Sequence, residues 1–195
     1  VNLDQRGLDK VLAGEPLSIV LFDLECTHLS GMIGRILCGA FKPLGKKPYV
    51  LRGDDERFWR PGQDVADDRA LALAIRDELE SYDIIVGHNS KLFDVKFLDA
   101  RLFKAGARPR EPRIHIDTMW VVRSHLKTSS KLQYIQEFVG LEESKTPISW
   151  DDWARAGAFD KKGMDRVVEH CIQDVKVLEE VYVRLRPYIK KLTRG

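Results

Sequence analysis

Cysteine is scarce in this chain: among 195 residues there are three, Cys26, Cys38 and Cys171. Three thiols cannot all pair with one another, and none has the close spacing of a zinc knuckle. Reduced thiols in a cytoplasmic setting are the expectation. Long apolar runs are also missing. None approaches the roughly 20 residues that cross a bilayer, so no membrane association is expected. No secretory signal opens the given sequence, so secretion is not expected either. No charge sign dominates, since 32 Lys and Arg stand against 30 Asp and Glu and leave a net charge of +2. That is too little to name a partner from bulk charge. Repeats and low-complexity segments are absent.

The hydrophobic content of 44% and charged content of 32% describe a globular chain rather than a disordered one. Its length suits a single domain over residues 1–195, with residues 1–16 as a polar arm or short leading helix. The nearly all-apolar run at 17–25 predicts a strand covered on both faces. Residues 33–41 and 49–51 predict two more strands, joined to the first by turns as an antiparallel meander. Helices are expected over 67–82, 91–105, 117–126, 131–139 and about 163–192, with Pro187 kinking or ending the last. Short strands are expected at 83–87 and 115–117. Asp117 is placed to cap the helix that follows it. The segment 147–163 has no assignment. This order predicts an α/β fold: a mixed five-stranded sheet, antiparallel meander plus parallel strands, flanked by helices.

The chemistry lies in the acids. Asp23 and Glu25 end the first strand, and residues i and i+2 of a strand share a face. Asp94 follows the strand at 83–87 through Gly87-His88-Asn89-Ser90-Lys91-Leu92-Phe93. His170 and Asp174 share a face of the last helix at i,i+4. Brought together, these acids would repel one another and raise carboxylate pKa values unless cations neutralised them. Hard oxygen ligands select magnesium or manganese. A pair of such ions about 4 Å apart is the usual clamp for in-line attack on a phosphodiester. Arg101, Lys104, Arg108, Arg110 and Arg113 cluster against Glu111 alone, and Lys127, Lys131, Lys190, Lys191 and Arg194 add further basic spots. They are read either as phosphate contacts or as ordinary solvated surface.

Asp23-Leu24-Glu25-Cys26-Thr27-His28-Leu29, Gly87-x-Asn89 with Phe93-Asp94, and His170-x-x-x-Asp174 together resemble the DEDD superfamily of 3′–5′ exonucleases. The resemblance runs from residue 17 to about 185. It implies a ribonuclease H-like fold and two divalent ions, Mg2+ or Mn2+, held by Asp23, Glu25, Asp94 and Asp174. It also implies that His170 takes or orients the proton of the attacking water. In the tyrosine branch of that family a tyrosine stands four residues before the final Asp. Here His170 occupies that spacing, and Val175 supplies no acid for the histidine branch's register. An unperturbed histidine titrates near pH 6.5, so activity is expected to fall on acidification.

The resemblance further implies that Leu29 wedges against terminal bases and that backbone amides around Thr27 and His28 touch the 3′-terminal nucleotide. Leu29 is otherwise core. Asn89 either contacts substrate or braces its own loop. Phe93, Cys26 and Cys171 are expected in the core, and His28, His88, His115 and His125 are expected to be ordinary polar side chains rather than metal ligands. Asp117 resembles a recurrent acid of the family as well as a cap.

The expected activity is hydrolysis at the 3′ end of single-stranded or frayed nucleic acid, DNA before RNA. Its alternatives are an RNA-trimming nuclease, the proofreading part of a polymerase, and a non-catalytic nucleic-acid-binding module. The opening Val fits a piece cut from a longer protein or trimmed for expression. A polymerase or another replication or repair protein is the expected protein partner.

Overall fold

The computed structural model describes residues 5–141 and 148–192. Arg194 and the side chains of Lys190 and Lys191 lie outside the described residues, as do residues 1–4 of the expected arm. The arm is a short helix, α1 (Gln5–Leu12). Three strands follow as the expected meander: β1 (Ile19–Cys26), β2 (Ile36–Pro43) and β3 (Tyr49–Arg52), each antiparallel to the one before. Helix α2 (Arg69–Glu80) leads to β4 (Ile84–Gly87), and α3 (Asp94–Lys104) leads to β5 (Ile114–Asp117). Helices α4 (Thr118–His125), α5 (Leu132–Phe138), α6 (Trp150–Gly157) and α7 (Lys161–Leu192) complete the described chain.

The sheet order is β3-β2-β1-β4-β5. Strands β4 and β5 run parallel to β1 and to each other. The carboxyl ends of β1, β4 and β5 therefore meet at one edge. Alternation along β1 sorts its side chains between two layers. Val20, Phe22 and Leu24 enter one core with Leu71, Ile75 and Leu79 of α2 and Leu98 and Leu102 of α3. Leu21 enters another with Val86 and with Leu178 and Tyr182 of α7. Leu37, Cys38 and Ala40 of β2 bury against Met164, Val167, Cys171 and Val175 of the same helix. Helix α7 thus lies across the face toward which Asp23 and Glu25 point.

Several boundaries differ from expectation. Strand β2 begins at Ile36 rather than residue 33, because Ile33 and Gly34 fold back on the Ser30 carbonyl in a turn. Gly31 presses this loop onto α3: a Cβ there would lie 2.9 Å from Ala100 Cβ. Helix α3 begins at Asp94 rather than Lys91. Asn89 has φ 61, a left-handed conformation that cannot start a helix, and its carbonyl accepts from the amides of Leu92 and Phe93. Helix α2 starts at Arg69 because the Asp68 carboxylate faces inward instead of capping. Helix α7 continues past Pro187. Helix α6 was not expected. Its sequence signal is the capping box of Ser149 and Asp152, whose side chains each accept from the other's backbone amide.

Candidate active site

Strand β1 carries Asp23 and Glu25 to the carboxyl edge of the sheet. Just there the β1–β2 ladder slips: Glu25 opposes Cys38, but Cys26 opposes Ile36. Such a bulge bends the strand and re-aims the side chains beside it. Cys26 points away and packs against the α2–α3 core, as strand alternation requires.

Asp23 is partly open to solvent by surface area, yet protein atoms enclose its carboxylate closely. Burial first, then the charges of Glu25, Asp94 and Asp174, raise its pKa well above the ordinary carboxylate range. The charges of the other three acids predicted from sequence therefore reach Asp23. Asp94 is buried at the start of α3. Its Oδ1 accepts from the Leu24 amide at 3.0 Å, at a level of β1 beyond the pairing with β4. Burial pushes the Asp94 pKa up to about 7, although that amide favours the charged form. From α7, His170 Nε2 lies 3.8 Å from Glu25 Oε1 and 3.9 Å from Asp174 Oδ2. The imidazole bridges the strand acid and the helix acid.

The tightest set of potential ligands is Asp23, Glu25 and Cys171, whose donor atoms all lie within 4.8 Å of one another. Asp94 and Asp174 are outside that set, although both charges reach Asp23. Cys171 is in the core, where the sequence reading placed it. It is fully buried, as expected of core, but its Sγ lies 3.5 Å from Asp23 Oδ2. It is part of the wall of the site. The seating of α7 on β1 brings it to Asp23. The hard carboxylate oxygens of Asp23 and Glu25, with two further negative charges nearby, fit divalent cations. A cation there would relieve the repulsion that now raises the pKa of Asp23.

The surrounding motif residues are held in defined ways. Leu29 is 84% exposed, which removes the core alternative. It shares the β1–β2 loop with Met32 and Ile33, both exposed. The Thr27 amide donates to the Arg35 carbonyl, and Thr27 Oγ1 accepts from the Arg35 amide. His28 is exposed, and its Nδ1 accepts from the Ser30 amide. Asp117 is indeed a cap, accepting from the Met119 amide. The same carboxylate also accepts from the amides of Asn89 at 2.9 Å and Lys91 at 3.0 Å. The Asn89 loop is thus braced through its backbone. Phe93 packs beside Phe97, as expected of core. His88 joins Thr118 to Ser130 and His115 contacts Ser90, so both hold structure together.

In the basic cluster at 101–113, Lys104 is exposed and the four arginines are engaged within the protein. Arg101 is buried against Asp68, Arg108 pairs with Glu80, Arg110 lies 3.4 Å from Asp99, and Arg113 donates to the Glu80 carbonyl. The sequence showed Glu111 as the sole opposing acid because the others come from α2, α3 and the residues just before α2. No described helix is long and apolar enough to cross a membrane.

With this geometry in place, comparison with known proteins decides the family. A model of the RNase H superfamily matches residues 20–186, nearly the whole chain. The chain belongs to the RNase H superfamily. Its mixed five-stranded sheet with flanking helices is the fold of that superfamily, and membership supports a nuclease chemistry. Among solved structures, the family B DNA polymerase from the hyperthermophilic archaeon Pyrobaculum calidifontis is similar, with a TM-score of 0.67 and 17% identity. The match covers 88% of this chain and 25% of that polymerase, so this superfamily member spans about a quarter of its structural neighbour. At that identity the likeness establishes the fold. No curated protein sequence matches.

Proposed function

We propose that this chain is a DEDD-type 3′–5′ exonuclease, its residues 1–195 acting as a single catalytic domain on single-stranded or frayed DNA ends. The observation that carries the reading is the Asp23 carboxylate, whose charged form is opposed at once by Glu25, Asp94 and Asp174. A buried acid among like charges is an arrangement a stable fold avoids unless a cation completes it.

Asp23, Glu25, Asp94 and Asp174 would hold two divalent ions, Mg2+ or Mn2+. When bound, that pair supplies a nucleophile at neutral pH and charge stabilisation for the leaving oxygen. His170, between Glu25 and Asp174, accepts the proton of the attacking water through Nε2. The water oxygen bonds to phosphorus and the bond to the 3′ oxygen breaks; that oxygen takes a proton from solvent and remains on the shortened strand as its new 3′ hydroxyl, and a nucleoside 5′-monophosphate leaves. The amide of Leu24 fixes one oxygen of Asp94 and so orients the other. Leu29, standing in solvent beside the site, separates the terminal bases. Thr27 and His28 meet the last nucleotide through their backbone, and Asn89 shapes the opposite side.

DNA is favoured over RNA because the fold neighbour is a DNA polymerase, and a polymerase or repair protein is the partner that fits. Digestion of 5′-labelled and 3′-labelled single-stranded oligonucleotides, with manganese and with chelator, tests the reading. The expected result is metal-dependent shortening from the 3′ end, faster on DNA than on matched RNA. Absence of shortening on both, or shortening from the 5′ end, refutes it.

A further inference from the structure

From Thr118 to Gln136 the chain contains no Asp or Glu, yet it carries Arg123, Lys127 and Lys131. All three are exposed. Two aromatic rings stand half out of the protein on the same stretch: Trp120 and Tyr134, each 47% exposed. Each has a lysine over its ring. Lys91 Nζ is 5.8 Å from the Trp120 ring centre, and Lys131 Nζ is 5.7 Å from that of Tyr134. Large amphipathic rings left half in water, paired with unpaired-sign cations, are the composition of a single-strand binding face.

The two pairs are tied into one surface. His88 contacts Thr118 Oγ1 at 2.9 Å and the Ser130 carbonyl at 2.8 Å. Arg123 Nε donates to Ser130 Oγ at 3.0 Å. Asp117 holds the amides of Asn89 and Lys91. These links anchor the face to the loop after β4 and the start of α4. Both lie at the carboxyl edge of the parallel strands, where Asp23 and Glu25 sit.

We propose that this face is the track that holds the single-stranded stretch of nucleic acid leading to the cleavage site. Bases stack on Trp120 and Tyr134, and phosphates meet Lys91, Arg123, Lys127 and Lys131. The track rests on the nuclease reading only for where the strand ends. It differs from the expected basic cluster at 101–113, whose arginines are already engaged by acids and a carbonyl of the protein itself.

The test uses fluorescence anisotropy of a 5′-labelled sixteen-residue oligo-dT in chelator, which prevents turnover, beside hydrolysis of the dinucleotide dT2 in manganese. The double variant W120A/Y134A should bind the long oligonucleotide about 100-fold more weakly, tenfold for each ring. K91Q/K131Q should lower the salt-dependence slope of binding by about 1.4, the share of two phosphate contacts to a single strand. Both variants should hydrolyse dT2 at the rate of the unmodified protein. Unchanged oligonucleotide affinity in the ring variant overturns the track. So does an equal loss on dT2, or a polyglutamate peptide that displaces the oligonucleotide as well as unlabelled oligo-dT does. If the unmodified protein binds the oligonucleotide through the rings but cleaves nothing in manganese, the track stands and the nuclease reading falls.

Discussion

Asp68 and Asp23 are both enclosed carboxylates near the β1–β2 loop, and their neighbours have opposite signs. Asp68, just before α2, accepts the Nε and Nη2 donors of Arg101 and the amide of Ile36. The cation it needs comes from within the fold. Asp23 faces Glu25, Asp94 and Asp174, and its Oδ2 accepts from the weak thiol of Cys171. The first arrangement is complete in the protein alone. The second is complete only with something positive added. The comparison teaches that burial of charge separates structure from chemistry less well than the sign of what surrounds it.

The largest effect should come from Asp23→Ala or Asp174→Ala. Either should lower turnover by roughly a thousandfold, about 4 kcal/mol of transition-state stabilisation, while the circular dichroism spectrum and melting temperature hold or rise. Activity near that of the unmodified protein would remove these acids from the site. Arg101→Ala should do the reverse. Leaving Asp68 buried without its cation should cost about 3–5 kcal/mol and lower the melting temperature by about 10 °C. The rate per folded molecule, measured well below the transition, should stay close to normal. If Arg101→Ala instead leaves stability intact and abolishes turnover, the contrast drawn between the two carboxylates is mistaken.

His170→Ala should reduce turnover by roughly 100-fold, the usual scale of a lost proton acceptor. His170→Tyr, which puts at this position the residue that the tyrosine branch of DEDD exonucleases carries there, should recover part of it if the proposed function holds. Equal loss in both would point to packing rather than proton transfer.

The smallest effect concerns pH. The folded pKa of Asp94 is raised from 3.8 to about 7, and that of Asp23 is raised as well. A carboxyl raised in the folded state binds its proton more tightly there than when unfolded. Its contribution is fully present below about pH 4 and is lost as pH rises through about 7. Chelator-treated protein should therefore melt on the order of 5 °C higher near pH 5 than near pH 8 from this cause, and saturating manganese should flatten the difference. A melting temperature that rises from pH 5 to 8 in chelator would mean that the four acids do not oppose one another.

Much of this could be seen before any coordinates. The all-apolar run ahead of Asp23 specifies a doubly covered strand, and period 2 sends Asp23 and Glu25 to one side with Leu24 and Cys26 to the other. Helical spacing aligns His170 with Asp174. Asp117 announces a cap. Boundaries were less legible where a loop conformation overrides pattern. Ile33 and Gly34 look like strand residues but belong to a turn over α3, and Asn89 in a left-handed conformation delays α3 to Asp94. The Ser149–Asp152 capping box was present in the letters and marks α6, a helix too short for its apolar spacing to stand out.

The sequence by itself determined which residues share a face, because strand and helix periods are local properties of a few adjacent side chains. It thereby specified the Asp23–Glu25 and His170–Asp174 pairs and the order of elements along the chain. Only the tertiary structure decided what each face meets. The seating of α7 on β1 sets Cys171 against Asp23. The packing of α3 beneath the β1–β2 loop leaves Leu29 in solvent and turns Arg101 inward onto Asp68. Each of these depends on residues far apart in the chain approaching within a few ångströms, and no local period encodes which distant surface will be there.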